Sequence, residues 1–210
     1  MKHYLKRLEY LLYFSLLGLM IATELQAQTG GNAVTVNRLP ASVTEYEQMR
    51  NELATTPEGG AAMFLVALEL YTRNPELGMQ CIIMQTDRKL LQQKPGAGSY
   101  KGFQLGRSTQ YRLKDQLKRY PYLPGSYFPG ATPQNAYREN SAPWRFHFTT
   151  NPYSGDPASG TVKLFIASAG ADSPRPIKMQ RNNRGVWKAK EFSSILMGIR
   201  PPASTTDDDL

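Results

Sequence analysis

The chain has 210 residues, with 25 Lys and Arg against 17 Asp and Glu, a net charge of +8, one cysteine and two histidines. That length fits one domain of ordinary size with enough chain to bury a core. A lone cysteine excludes an internal disulfide. With so few histidines, zinc sites built on His/Cys clusters are excluded too, and a Ser-His-Asp or Cys-His device would have to run through a single imidazole.

Lys2, Lys6 and Arg7 precede an apolar block from Leu11 to Ala22, and a short polar exit ends at Leu25-Gln26-Ala27. The block is shorter than the roughly 20 residues a membrane-spanning helix needs, so residues 1–27 read as a secretory signal peptide cleaved after Ala27. The mature protein is then expected to be exported, periplasmic or extracellular. Cleavage leaves one histidine, His147, and 22 basic against 15 acidic side chains; three of those acids are Asp207, Asp208 and Asp209. A body this basic attracts polyanions. Cys81, in the apolar run Cys81-Ile82-Ile83-Met84, reads as a buried, inert thiol.

Residues 28–41 read as a flexible lead-in, within which Ala33–Asn37 has the pattern of a short edge strand. Ser42-Val43-Thr44-Glu45 has capping-box spacing and opens a helix over 43–54. Thr56-Pro57-Glu58 starts a second helix, whose run from Ala61 to Leu68 is apolar on every face and therefore central and buried. Asn74-Pro75-Glu76 repeats the signal for a third. After the breaker Lys94-Pro95-Gly96-Ala97-Gly98-Ser99, Ser108 can cap a fourth helix carrying Tyr111, Leu113, Leu117 and Tyr120, stopped by Pro121.

Between Arg88 and Arg119 there are nine Lys or Arg and one acid, Asp115, with Tyr100, Phe103 and Tyr111 interleaved. Arg112, Lys114, Lys118 and Arg119 in that stretch are candidate ligand-binding residues. From Pro121 to Pro143 the chain is rich in Pro, Gly and aromatics, a composition expected to pack down as an ordered loop, and Tyr127 on it is a further candidate contact.

The C-terminal third switches to period two. Trp144, Phe146 and Phe148 alternate with Arg145, His147 and Thr149; Val162, Leu164 and Ile166 form a second strand, Ile177 and Met179 a third. The turn Asn182-Asn183-Arg184-Gly185 returns the chain into Val186–Lys190, and 195–199 has the pattern of a fifth strand. Pro201-Pro202 ends the order, and 203–210 reads as a disordered acidic tail. The expected fold is α+β: about four helices packed on an antiparallel sheet of four to five strands, in one domain over 42–202.

Glu58, Glu69, Glu76, Asp87 and Asp156 are the acids outside obvious surface runs. Glu58 and Glu76 follow prolines at helix starts, where the dipole explains them. Glu69 interrupts the apolar helix and needs a partner. His147, Arg145 and Asp156 could form a small polar cluster for an anionic ligand. No glycine-rich phosphate loop, HExxH or GxSxG occurs, and no cofactor or metal is expected.

The stretches Thr56-Pro57-Glu58-Gly59-Gly60-Ala61-Ala62, Tyr100-Lys101-Gly102-Phe103, Ser126 to Pro133, Asn151-Pro152-Tyr153-Ser154-Gly155-Asp156-Pro157, and Asp172-Ser173-Pro174-Arg175-Pro176 followed by Gly185-Val186-Trp187-Lys188 resemble a family of uncharacterised bacterial secreted proteins. The resemblance covers roughly 42–202 and implies membership without an activity, substrate or site. The helix layer followed by strands ending in Gly-x-Trp-Lys is also loosely similar to the NTF2-like fold. The resulting reading is a non-catalytic, extracytoplasmic binding or accessory module. Its partner would be an anionic envelope polymer or another envelope protein, and specific nucleic-acid recognition is not expected. The rival readings are a carboxylate-based hydrolase of envelope polymers and a structural part of an envelope assembly.

Overall fold

The computed structural model describes residues 32–204; the expected signal peptide and most of the expected acidic tail lie outside them. Helices α1 (Val43–Leu53), α2 (Pro57–Arg73) and α3 (Pro75–Gln85) follow strand β1 (Asn32–Val36). Each helix starts as its residues dictate. Ser42 Oγ accepts from the Glu45 amide at 3.2 Å, while the Glu45 carboxylate accepts from the Ala41 amide at 2.7 Å, a capping box displaced by one residue on its return arm. Thr56 and Asn74 cap α2 and α3, each ahead of a proline whose missing N–H costs nothing there.

Helix α2 is buried from Pro57 to Leu70 and packs against α1, α3 and strands on the inner face of the main sheet. That sheet has five antiparallel strands in the order β1, β4 (Trp144–Thr149), β5 (Thr161–Ile166), β6 (Arg175–Arg181), β7 (Trp187–Glu191). Alternation sends Trp144, Phe146, Phe148, Val162, Leu164, Ile166, Ile177, Met179, Trp187 and Ala189 into the core, and the polar residues between them outward. The expected α+β architecture is the observed one.

The edge strand expected at 33–37 forms as β1 and pairs with β4. The strand expected over 195–199 does not form, because Ser193–Leu196 make a 3-10 turn that buries Ile195 and Leu196. The breaker over 94–99 is irregular as expected, and it joins two short strands that the sequence pattern does not announce, β2 (Leu91–Gln93) and β3 (Phe103–Leu105). Strands of three residues offer too few positions for period two to register.

The 121–143 loop packs down as its aromatics require. Phe128 meets the rings of Trp144 and Phe146 edge-on at 5.2 and 5.0 Å, and Tyr137 stacks on Tyr122 at 5.4 Å. Its residues Leu123 to Phe128 are buried, so it fills one end of the core.

Candidate functional site

Helix α4 (Arg107–Arg119) carries the sequence's basic stretch outward. Only Leu113 and Leu117 are buried, one turn apart, so a single apolar stripe holds the helix down and the remaining faces are free for polar side chains. The N-cap is Gly106, which contributes no side-chain hydrogen bond, and Ser108 lies within the first turn instead of capping it. Lys118 and Arg119 occupy the last turn, where cations meet the negative end of the dipole.

Arg112, Lys114, Lys118 and Arg119 are all exposed. Asp115 pairs with Arg119 at 3.0 Å, leaving Arg112, Lys114 and Lys118 with no ion pair among the described residues. Tyr111, on the same helix, is 72% exposed. Elsewhere in the stretch Lys101 pairs with Glu47 at 3.2 Å, and the Arg88 guanidinium covers the Phe103 ring at 4.1 Å. A cleft of about 190 Å³ runs beside the helix, lined by Ser108, Thr109 and Arg112 on one wall and Lys190, Glu191 and Ser193 on the other.

The other sequence candidates are not brought together. Arg145 and His147 are exposed on the outer face of β4, opposite Thr35 and Ala33 of β1. Asp156 instead caps a 3-10 turn, its carboxylate accepting from the Ala158 amide at 2.8 Å. Phe148 pairs with Ile166, while the Lys163 amide bonds the Ser154 carbonyl, so the chain around Asp156 lies toward the opposite end of β5 from His147. At about 3.3 Å per strand residue the separation exceeds about 10 Å. Tyr127 is buried, and its hydroxyl donates to the Ile195 carbonyl at 2.8 Å. Burial pushes that phenol well above its ordinary range.

A second cleft, of about 630 Å³, opens between α1 and the β6–β7 turn, lined among others by Glu47, Arg50, Asn51, Arg181 and Arg184. Gly185 at φ +79° lets the turn close in the left-handed region. Lys188, two residues beyond Val186 and outside the lining of the cleft, is half-buried. Its ammonium is pushed down to about 8, first by burial, then by the charge of Arg50 and that of Arg184, with Asp87 opposing. Arg50 places one guanidinium nitrogen against Asn51 Oδ1 at 2.7 Å, while its Nε is buried with no acceptor. The sequence offers no sign of this cluster, because Arg50 and the 181–188 hairpin meet only through the fold: the Trp187 amide donates to the Ala54 carbonyl at 2.8 Å, seating the end of α1 against β7.

Residues 38–203 match a domain of unknown function, DUF6935. The chain belongs to the DUF6935 family. Comparison with curated proteins and with solved structures finds no match.

Within the DUF6935 domain four of the five acids singled out by the sequence have hydrogen-bond or ion-pair partners, and the fifth, Glu76, sits in the first turn of α3. Glu58 accepts from Asn32 Nδ2 at 2.9 Å, and Asp87 from the Lys89 amide at 2.9 Å. Glu69 holds Arg73 at 2.8 Å; burial nevertheless raises its carboxyl from the ordinary range. The Cys81 thiol is buried and pushed up to about 12, far from a reactive thiolate. Among the described residues there is no group of three or more His, Cys, Asp and Glu placed to hold a metal, and no helix long and apolar enough to cross a membrane.

Proposed function

We propose that this protein is an exported, non-catalytic binding or accessory module of the cell envelope that holds an anionic envelope polymer along α4. The observation that carries the reading is the exposed basic surface of that helix, on which Arg112, Lys114 and Lys118 have no ion-pair partner among the described residues. A solvated helix does not need this bias. Evenly mixed charges would give the same solubility and add ion pairs along the helix. Lys114 and Lys118, one turn apart, share a face with the exposed Tyr111, while Arg112 lies on another side of the helix. An extended polyanion suits such dispersed cations better than a small ligand does, since binding then rests on many weak contacts. The structural roles of Glu58, Glu69, Asp87 and Asp156 favour binding over the carboxylate-hydrolase reading.

The test is retention of the purified protein on a heparin or other anionic-glycan column. Exposed charges act over about 8 Å at physiological salt, so elution should come at low to moderate ionic strength. Replacing Arg112, Lys114, Lys118 and Arg119 by Gln should lower the eluting salt more than replacing Arg138, Lys163, Lys178 and Arg200. Equal shifts would reduce the interaction to net charge and overturn the assignment to α4.

A further inference from the structure

We infer that the cleft between α1 and the β6–β7 turn is a second, separate site, binding a compact tetrahedral oxyanion of the phosphate or sulfate class through Arg50, Arg184 and Lys188. Arg50 from α1 and Arg184 from the turn line the cleft, Lys188 on the adjoining strand lies close enough for both to repel it, and the carboxylate of the lining is Glu47. Glu47 accepts from Lys101 and the Tyr100 hydroxyl, each at 3.2 Å, and the charge of Arg50 acts on it more weakly than Lys101 does. Asp87, the acid facing Lys188 from beyond α3, accepts from the Lys89 amide. Arg181, facing from β6, is held over the Trp187 ring and donates to the Ala158 carbonyl at 3.2 Å.

The donors left over are the ones an oxyanion uses. Arg50 has a buried Nε without an acceptor, and a buried N–H of that kind is costly unless something accepts from it. Lys188 is half-buried and makes no hydrogen bond or ion pair among the described residues; its neighbours Arg50 and Arg184 repel it. Like charges gathered in a half-buried place destabilise the fold by themselves, and a dianion between them reverses the sign of each interaction. A planar guanidinium with a point-charge ammonium suits several oxygens on one centre. The α4 surface, exposed and tracking one helix, lacks this convergence, so the two assignments stand or fall separately.

The experiment is calorimetric titration of the purified protein with sodium sulfate at constant ionic strength. One saturable site is expected at pH 7, weakened at least tenfold in Lys188→Met and in Arg50→Gln, and unchanged in the variant with Arg112, Lys114, Lys118 and Arg119 replaced by Gln. Sulfate does not titrate in this range, so loss of the Lys188 proton alone should weaken binding about tenfold between pH 7 and pH 9. Lys188→Arg should bind with no such dependence. Inorganic phosphate and glycerol phosphate should displace sulfate; tighter binding of the ester would assign the site to a phosphoryl group on a larger molecule, and tighter binding of the free ion to the ion itself. Sulfate binding that is absent, that survives Lys188→Met in a folded protein, or that disappears with the α4 set would overturn the inference. Should Arg50→Gln fail to fold, Lys188→Met, which removes a desolvated charge, carries the test.

Discussion

The side-chain amide of Gln85 donates to the main-chain carbonyl of Trp187 at 2.8 Å, and the same nitrogen donates to the carbonyl of Gly60 at 2.8 Å. One side chain at the end of α3 thereby ties α2 to the edge strand β7, whose carbonyl at Ala189 also accepts from the Asp87 amide at 2.8 Å. The helix ends occupy backbone groups that an edge strand would otherwise present to other chains. Replacing Gln85 by Leu leaves two buried carbonyls short of a donor, so Gln85→Leu should cost about 2 kcal/mol in a denaturant titration. A loss near zero would mean that water reaches both carbonyls.

Trp187 is buried against α2, and its indole should behave as core. Trp187→Ala should cost about 3 to 5 kcal/mol through the cavity it leaves. Gly60 permits the contact, because a Cβ there would lie 2.6 Å from the Trp187 carbonyl oxygen. That atom is backbone and cannot rotate away, so Gly60→Ala should also lower the melting temperature. An unchanged melting temperature in Trp187→Ala would place the ring outside the core.

The elements that periodicity and capping residues announce were legible: Thr56-Pro57 and Asn74-Pro75 start helices, and Trp144-x-Phe146-x-Phe148 faces the core. The β2–β3 hairpin was not, since three-residue strands carry no measurable period. Residues 195–199 look strand-like by their apolar side chains, but Ser193–Leu196 follow Phe192 into a tight turn, which alternation cannot distinguish from a strand over so short a length. At the candidate sites the basic residues of α4 were legible because they are contiguous. The Arg50–Arg184–Lys188 cluster was not: its members are joined by the packing of α1 on β7, a relationship with no local signature.

Tyr127 illustrates the same limit from the other side. Its place on an aromatic loop suggests a ligand contact, yet its hydroxyl is spent on the Ile195 carbonyl. Tyr127→Phe should cost about 1 to 2 kcal/mol and leave retention on an anionic column unchanged. Weaker retention at an unchanged melting temperature would return Tyr127 to the list of ligand contacts.

The proposed export makes a prediction independent of the fold. Mass spectrometry of the protein from its native host should find a mature N-terminus close to Gln28. An intact Met1 in the membrane fraction would instead indicate an uncleaved anchor.

Lys188 links the stability of the domain to its proposed anion site. Its ammonium is lowered from an ordinary 10.5 to about 8, with burial the largest cause and Arg50 the next. The folded state therefore disfavours the proton: below about pH 8 the full penalty applies, and from about 8 to 10.5 the unfolded chain holds more protons, so this group's contribution to stability rises with pH. Lys188→Met removes the penalty while keeping the apolar stem. At one pKa unit per 1.36 kcal/mol, and allowing for the water that still reaches the group, the gain at pH 7 should be about 1 to 3 kcal/mol. Denaturant titrations should show that gain shrinking as pH rises above 8 and the wild-type lysine becomes neutral. The same variant should bind sulfate more weakly, so stability and binding move in opposite directions, as expected where like charges are held together for a ligand. A Lys188→Met protein less stable than wild type at pH 7 would mean that the ammonium is satisfied within the fold, and the anion site would lose its energetic basis.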